Sequence, residues 1–462
     1  MQHFVGNVLD SEWKDLQDYT RSFSSASICT DEGPKIPGAT SFRFGQLQGA
    51  TKTLFPSLQH LNFTNTTPGS SPFHLPFLFA PALRDVVIVN VGTASNFAFT
   101  VAAFLHRLSE EATLEHLTLD SLCLTSHIIR SIGHCRQLKT LNLKNIKGSL
   151  DGLDVLMMLG GLSGLHDLTI TVADDLNYLQ ACHSSPLCSN PSVDSVELSA
   201  LKSLQLAGER PMVQDILDRV VVSRNLETLF IHFTGYRYYL PPPPHRKSGK
   251  KLPKKHIKTP EVNPVKTIAH GLATTLKLFS LKFNATSFEN IRVPHNMITD
   301  LAKLQNLENL DLSGILLPIE GLDITFNTLS DFWPKIQHLR LPLVSENHLY
   351  LSTLAVIAKS CPNLIYLECS IDLHTGVKSF SVPPEGMVSH RLETLVVSSP
   401  VDPPPSETRL ARAVANFLYA LFPDIVAIIE IHPSQFWREV SELVQMCQQA
   451  REYDKKRRQD GK

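Results

Sequence analysis

Few cysteines and no long apolar run mark this sequence. Eight cysteines among 462 residues are too few for a disulfide scaffold, and no C-x-x-C pair suggests a zinc or redox site. No segment reaches the roughly 18 apolar residues that a transmembrane helix needs, and the opening MQHFVGNVLDSEW resembles no secretory leader. We therefore expect buried free thiols, no membrane partner and a cytoplasmic or nuclear location.

Catalytic motifs are missing as well. H-E-x-x-H, G-x-x-x-x-G-K-[ST] and G-x-S-x-G do not occur, and Gly160, Gly161 and Gly164 do not fit the dinucleotide pattern. Cys182, His183 and Cys188 have no fourth metal ligand nearby. The sequence predicts a non-enzymatic protein without a cofactor or metal, and the net charge of -1 gives no overall attraction to nucleic acid.

Leucines at L-x-x-L-x-L spacing recur along most of the chain, most clearly at Leu307, Leu310 and Leu312. Further copies start at Leu58, Leu83, Leu114, Leu138, Leu165, Leu201, Leu226, Leu278, Ile336, Leu364 and Leu392, with a weaker one at Val426, Ile429 and Ile431. Most intervals run from 24 to 31 residues. This period predicts an α/β leucine-rich repeat solenoid of about 12 irregular repeats, a horseshoe-like arc of short parallel strands with outer helices.

Apolar stripes at helical spacing lie between the leucine motifs. They predict outer helices around Phe97 to Leu108, Leu410 to Leu421, Met212 to Val222 and Ser352 to Ser360.

Both ends of the chain lack the repeat. Residues 1–50 read as a helical cap with Trp13, Leu16 and Tyr19 at helical spacing, followed by a loop from Ser22 to Gly38. The solenoid then covers residues 51–432. Residues 433–462 predict a capping helix that begins after Ser434 and ends in a charged tail. A coiled-coil partner helix is the alternative for this last segment.

A Pro/Lys-rich loop at 235–265 interrupts the series, since the interval from Leu226 to Leu278 is 52 residues. Its basic residues are Arg246, Lys247, Lys250, Lys251, Lys254, Lys255 and Lys258, with no acidic residue among 241–260. The loop fits a nuclear localisation signal, a contact to phosphates or acidic partners, or a solvated insertion. It lacks aromatics between the lysines, which argues against single-stranded nucleic acid.

Residues between the leucines of each motif are expected to face the concave, partner-binding side of the solenoid. The candidates are His116, Asp120, Asn142, Lys144, Phe230, His232, Asn309, Asp311, His338, Arg340, Tyr366 and Glu368. Phe230, Arg340 and Tyr366 are of the residue types most often found as interface anchors. The alternative is that these are ordinary solvated strand residues.

Many leucine-rich repeats carry an asparagine three residues after the last leucine of the motif. Here that position holds Thr66, Leu122, Ile146, Thr234, Thr286 and Ile315. We therefore expect no asparagine ladder between the repeats.

The segments CRQLKTLNL from Cys135 and CPNLIYLEC from Cys361 resemble the cysteine-containing repeats of F-box proteins. With Trp13, Tyr19, Trp437 and Cys447, the layout is similar to the F-box and leucine-rich-repeat-like families of fungi. This resemblance implies the substrate-recognition part of a ubiquitin ligase, with a protein substrate, a Skp adaptor and a cullin as partners. The F-box itself is not found in this sequence, so the alternatives are an F-box upstream or a leucine-rich repeat scaffold outside ubiquitination.

Overall fold

The computed structural model describes most of the repeat series. The described residues are 10–30, 53–66, 75–91, 97–147, 155, 158–173, 196–208, 210–222, 225–234, 275–283, 300–313, 333–342, 348–373, 390–399, 408–431 and 434–460. The chain forms two compact units, Met1–Leu226 (unit 1) and Glu227–Lys462 (unit 2).

Short strands dominate both units. In unit 1 they are β1 (Ser25–Cys29), β2 (His60–Asn65), β3 (Asp85–Asn90), β4 (His116–Asp120), β5 (Thr140–Ile146), β6 (Asp167–Val172), β7 (Val196–Leu198), β8 (Ser203–Gly208) and β9 (Val220–Val222). In unit 2 they are β10 (Thr228–Phe233), β11 (Leu278–Phe283), β12 (Asn309–Asp311), β13 (His338–Arg340), β14 (Leu349–Tyr350), β15 (Tyr366–Asp372), β16 (Thr394–Ser398) and β17 (Ala427–Glu430).

Helices lie between some of these strands and at both ends. They are α1 (Asp10–Thr20), α2 (Phe97–Glu111), α3 (Ser126–His134), α4 (Arg210–Arg219), α5 (Leu351–Ser360), α6 (Thr408–Leu421) and α7 (Gln435–Asp460), with a 3-10 helix at Leu75–Leu78. Among the described helices, none combines the length and apolarity needed to cross a bilayer.

Each unit is built on a parallel sheet whose strands follow one another in chain order. In unit 1, β1 to β6 pair in sequence and β8 follows β6; in unit 2, β10 to β13 are followed by β15, β16 and β17. The pairing brings equivalent motif positions together, for example Leu310 beside Leu339 and Leu339 beside Leu367. These leucines are buried. The chain therefore has the predicted leucine-rich repeat fold.

A shared backbone acceptor starts most of the described repeat strands. The carbonyl of Glu115 accepts hydrogen bonds from the N–H groups of Lys139 (2.8 Å) and Thr140 (3.0 Å), and the carbonyl of Glu308 does the same for Gln337 (2.7 Å) and His338 (3.1 Å). One carbonyl oxygen can accept two donors because it carries two lone pairs. This contact fixes where each strand begins relative to the previous one.

The predicted outer helices are present, with one correction. The stripes of α2 and α6 are buried, and α5 begins one residue before the predicted start. The predicted helix from Met212 to Val222 ends at Arg219, and Val220–Val222 forms β9 instead. Three consecutive β-branched residues fit a strand better than a helix end, and β9 pairs with β7 in a small separate sheet.

The amino-terminal cap is helical, as predicted, but the loop after it is not all loop. Trp13 is buried on α1 against Leu54, whereas Tyr19 is exposed. Ser25–Cys29, inside the predicted loop, forms strand β1 in parallel register with β2. The serine-rich segment hides a strand because Ala26, in register with Leu61, is too small to be recognised as a motif leucine.

The closing helix also forms as predicted. Ser434 caps α7, since its Oγ accepts the N–H of Trp437 at 3.3 Å. Trp437, Val440 and Val444 are buried, and the helix packs against α6 and β17. The amide of Gln448 adds hydrogen bonds to the carbonyls of Pro423 (3.1 Å) and Ile425 (2.7 Å).

The two cysteine-containing repeats share one local structure. Cys135 follows α3 and Cys361 follows α5 as the C-cap residue, and both thiols are buried and form no disulfide. Burial raises the pKa of each thiol to about 12. Such thiols are unreactive packing groups.

The packing of two repeats explains why position 161, one of the glycines that fit no dinucleotide motif, is glycine. A Cβ at this position would lie 2.1 Å from the carbonyl oxygen of Gly133 in the preceding repeat. The close approach of the two backbones excludes any side chain at Gly161.

A short asparagine ladder exists, contrary to the prediction. Asn65 donates from Nδ2 to Oδ1 of Asn90 at 2.8 Å, and both side chains are buried. Thr30 donates to Asn65 Oδ1 at 3.3 Å. The ladder lies at the ends of β2 and β3. Its first asparagine, Asn65, comes one position before Thr66, the position on which the prediction rests. Thr286 and Ile315 lie outside the described residues.

Two of the predicted leucine motifs are misplaced. Leu278 pairs with Asn309, not Leu307, so the motif of β11 is Leu276, Phe279 and Leu281, two residues earlier than predicted. Thr394 pairs with Ala427, so the last motif begins at Ile425 rather than Val426. The one-residue shift exposes Val426, Ile429 and Ile431.

The interrupted interval is therefore 50 residues, from Leu226 to Leu276. Strands β10 and β11 on either side of it pair directly, with Leu229 beside Phe279. The predicted loop at 235–265 falls between paired strands and lies outside the described residues.

The corrected register of β11 predicts unequal costs for two neighbouring substitutions. Phe279→Ala should lower the free energy of unfolding by about 3 to 5 kcal/mol, because it empties a fully buried site. Leu278→Ala should cost clearly less, since that side chain is already partly exposed. Equilibrium denaturation of both variants compares them, and equal costs would contradict the register.

A buried histidine links two repeats near the carboxyl end. His390 donates from Nε2 to the carbonyl of Cys361 at 2.6 Å, packs edge-on against Phe422, and leaves Nδ1 buried without a partner among the described residues. Burial lowers the pKa of His390 below 6.5, and the hydrogen bond to Cys361 partly opposes this shift. The neutral ring is therefore the form that the fold accommodates.

This pKa predicts a loss of stability at acidic pH. Below pH 6.5 the unfolded chain binds a proton at this histidine that the folded chain excludes, so stability should fall as pH drops from about 6.5 towards the folded pKa. His390→Gln, which keeps a donor for Cys361, should flatten this part of the pH profile. His116→Gln retains His390 and should keep the decline; identical profiles for the two variants would contradict the assignment.

Candidate functional site

All twelve predicted site residues lie on repeat strands at positions that alternate with buried leucines. His116, Lys144, His338 and Arg340 are exposed, and the other eight are partly exposed. We call this side of the strands the open face. The seven lysines and arginines of the basic loop lie outside the described residues, as do Cys182, His183 and Cys188.

Strand register brings the unit 2 candidates together. Asp311 lies beside Arg340, Arg340 beside Glu368, and His338 beside Tyr366. Neighbouring strands are about 4.8 Å apart, so side chains at equivalent positions touch. We call the resulting group the Arg340 cluster; its members are Lys282, Asp311, His338, Arg340, Tyr366 and Glu368.

Ion pairs connect the cluster across four strands. Lys282 Nζ lies 3.1 Å from Asp311 Oδ2, Arg340 Nη1 lies 3.8 Å from the same oxygen, and Arg340 Nε lies 3.4 Å from Glu368 Oε2. Exposed ion pairs contribute only about 0 to 1 kcal/mol each. Their main effect here is to orient the two cations rather than to stabilise the fold.

Tyr366 contacts both Arg340 and the carboxylate of Glu368, and His338 packs against Tyr366. The Tyr366 hydroxyl donates to Glu368 Oε2 at 2.8 Å, the oxygen that also pairs with Arg340. The guanidinium carbon lies 5.3 Å from the centre of the Tyr366 ring, within cation–π range. The His338 ring lies 6.0 Å from the same ring. Arg340 is therefore in contact with three side chains of its own chain, Asp311, Glu368 and Tyr366.

The charges of the cluster differ in accessibility. The side chains of Asp311 and Glu368 are 18% and 14% exposed, whereas those of Lys282 and Arg340 are 45% and 46% exposed. The carboxylates lie at the base and the cationic groups project above them.

The unit 1 candidates do not form a comparable cluster. Asn142 donates to Thr118 Oγ1 at 3.2 Å, and Asp120 accepts the Asn145 amide at 3.0 Å. His116 and Lys144 are exposed on β4 and β5. The open face of unit 1 presents mostly small polar groups.

Three predicted residues of unit 2 lie beside the cluster. Asn309 is on β12 between Leu278 and His338, and Phe230 and His232 are on β10, in register with Ser280 and Lys282. They extend the same open face towards the start of unit 2.

Lys282 is the cluster member that the sequence analysis did not name. In the observed register Asp311 lies beside Ser280, and Lys282, two residues further along β11, reaches Asp311 diagonally. The available signal was the predicted motif itself, in which Lys282 lies between Leu281 and Phe283, the position that Asp311 holds between Leu310 and Leu312.

Comparisons with known proteins add little to this picture. No family model and no curated protein matches the chain. Among solved structures, it is similar to an internalin (inlF) from Listeria monocytogenes, with 13% identity over 92% of this chain and 86% of the other, at a TM-score of 0.41. It is also similar to the leucine-rich repeat-containing protein LegL7 from Legionella pneumophila, with 13% identity over 72% of this chain and 90% of the other, at a TM-score of 0.30. The repeat fold follows from the strand registers themselves.

The charges around Tyr366 predict that substitutions of Glu368 and of Arg340 shift the pKa of its hydroxyl in opposite directions. Burial raises the pKa of Tyr366 above 10, Glu368 raises it further, and Arg340 lowers it. Glu368→Gln should therefore lower this pKa, and Arg340→Ala should raise it. The titration can be followed by NMR with tyrosine labelled at the ring carbon that carries the hydroxyl, assigned by Tyr366→Phe; shifts of the same sign would contradict the geometry.

Proposed function

We propose that this protein is a non-enzymatic protein-binding module whose partner binds the open face of unit 2. The observation that carries the proposal is the Arg340 cluster, in which an exposed arginine is held in place by Tyr366, Asp311 and Glu368. Arginine and tyrosine are enriched among the residues that dominate binding energy at interfaces. A pre-ordered side chain loses less entropy on binding than a mobile one.

The more specific proposal is that the bound protein is a substrate for ubiquitination by an F-box-type ligase. Its support is the resemblance of the segments at Cys135 and Cys361 to F-box repeat proteins, together with their shared buried C-cap position. The Skp adaptor and the cullin would be reached through an F-box outside this sequence. An F-box-free scaffold with the same binding face is the alternative.

Substitution of Arg340 should weaken partner binding. Arg340→Ala is expected to weaken binding about tenfold or more, because it deletes a held contact at the centre of the face. Arg107→Ala is the matched control, since Arg107 also stacks on an aromatic ring, Phe79, and pairs with a glutamate, but lies on α2 of unit 1. Affinity purification from native cells identifies the partner, and titration of the purified proteins gives the affinities.

The same purification separates the proposals. Recovery of a Skp adaptor and a cullin, from a transcript with a confirmed 5' end, supports the ligase. Partner binding without either favours the scaffold. Equal loss of binding with Arg340→Ala and Arg107→Ala, or no loss with either, would contradict the proposed face.

Cytoplasmic or nuclear localisation is part of this proposal. Deleting residues 241–260 tests the role of the basic loop directly. Loss of nuclear accumulation would assign the loop to import, and unchanged localisation would remove that role.

A further inference from the structure

One row of side chains crosses the open face of unit 2 from the Arg340 cluster to the last strand. Strand register places Arg340 on β13, Glu368 on β15, Val396 on β16 and Ile429 on β17 side by side in that order. The side chain of Arg340 is 46% exposed and Ile429 is 50% exposed, whereas the side chain of Glu368 is 14% exposed and Val396 is buried. The accessible groups of this row are therefore at its two ends.

The Arg340 end of the row keeps hydrogen-bond donors that its own carboxylates do not use. Arg340 lies 3.4 Å from Glu368 and 3.8 Å from Asp311, and Lys282 lies 3.1 Å from Asp311. Charge-assisted hydrogen bonds between such groups are shorter, at about 2.7 to 2.9 Å, and a guanidinium has five N–H donors. Because the well exposed charges at this end are cationic, charge complementarity favours an acidic group of a partner.

The Ile429 end of the row is apolar. Ile431, two residues further along the chain, is also exposed, and the period of two along a strand places it on the same side. Both side chains remain exposed with α7 packed against β17, so the closing helix does not cover them. A large apolar side chain of a partner that packs here removes apolar surface of both molecules from water.

The distance between the two ends sets the spacing of the matching groups in a partner. Arg340 and Ile429 are separated by three steps between neighbouring strands, which is about 14 Å at 4.8 Å per step. In an extended segment, residues i and i+4 point to the same side and lie about 13 Å apart. In an α-helix the same two residues are only about 6 Å apart. An extended segment with a four-residue spacing therefore reaches both ends.

We propose that unit 2 recognises an extended segment of its partner that carries an acidic residue and, four positions away, a large apolar residue. The acidic side chain pairs with Arg340 and Lys282, and the apolar side chain packs on Ile429 and Ile431. The segment crosses the strands over the open face and does not extend the sheet. This inference rests on the proposed function, since it names the chemistry of the partner that binds the same face.

Selection of displayed peptides tests the residue types and their spacing. Random peptides on phage are selected on the full-length chain, and those that also bind Arg340→Gln are removed. The remaining peptides should share an acidic residue and a large apolar residue four positions apart. In parallel selections, the apolar preference should disappear with Ile429→Asp and persist with Phe99→Asp, which places the same charge on an exposed apolar residue of α2.

Double-mutant cycles on a selected peptide test the two contacts separately. Replacing its acidic residue by the amide should weaken binding to the wild type about tenfold and leave binding to Arg340→Gln unchanged, because the contact is already absent there. Replacing its apolar residue by alanine should weaken binding to the wild type and to Arg340→Gln equally, but should have no effect with Ile429→Ala. Isothermal titration calorimetry gives the affinities.

Three outcomes would overturn this inference and leave the proposed function standing. They are Arg340-dependent peptides without an acidic residue, a spacing of about seven or eight positions as in a helix, and effects of peptide and protein substitutions that simply add. If neither a peptide nor the native partner requires Arg340, the proposed function fails as well.

Discussion

Burial of the leucine columns is the constraint on which the rest of the structure depends. Each repeat strand buries the side chains of its motif, and a shift by one residue would turn them all to the open face. Before most of the described strands, a single carbonyl accepts two N–H groups of the next strand, and so anchors the same register in the backbone. Both requirements concern the strands and not the segments between them. The number of residues between strands therefore varies, while motif positions on neighbouring strands stay aligned.

This constant register creates the candidate site. Asp311, Arg340 and Glu368 are separated by 28 or 29 residues in the sequence, yet each lies beside the next. Their ion pairs are individually weak, so the leucines underneath determine which charges meet. The position of Arg340 between Asp311 and Glu368 therefore follows from the strand register and needs no special feature in the segments that connect the strands.

The same rule explains why the two ends of the unit 2 open face differ. Charged and aromatic side chains occupy the positions above the leucines on β12, β13 and β15, whereas isoleucines occupy them on β17. A repeat in the middle of the sheet has neighbours on both sides, but β17 has only β16. The polar cluster and the exposed isoleucines of β17 are therefore separate surfaces with different chemistry.

The sequence by itself determined the fold class, most strand positions, most of the outer helices, the terminal helix and which side of most strands is open. It did so because leucine spacing is a local signal that burial enforces in every repeat. Only the tertiary structure decided the register of β11 and β17, where LKLFSLKF and DIVAIIEI each allow more than one frame. Strand pairing selects the frame that aligns with neighbouring motifs. This frame placed Ser280 beside Asp311, which Lys282 reaches diagonally, and turned Ile429 outward. Contacts between strands depend on residues some thirty positions apart, which no local pattern contains.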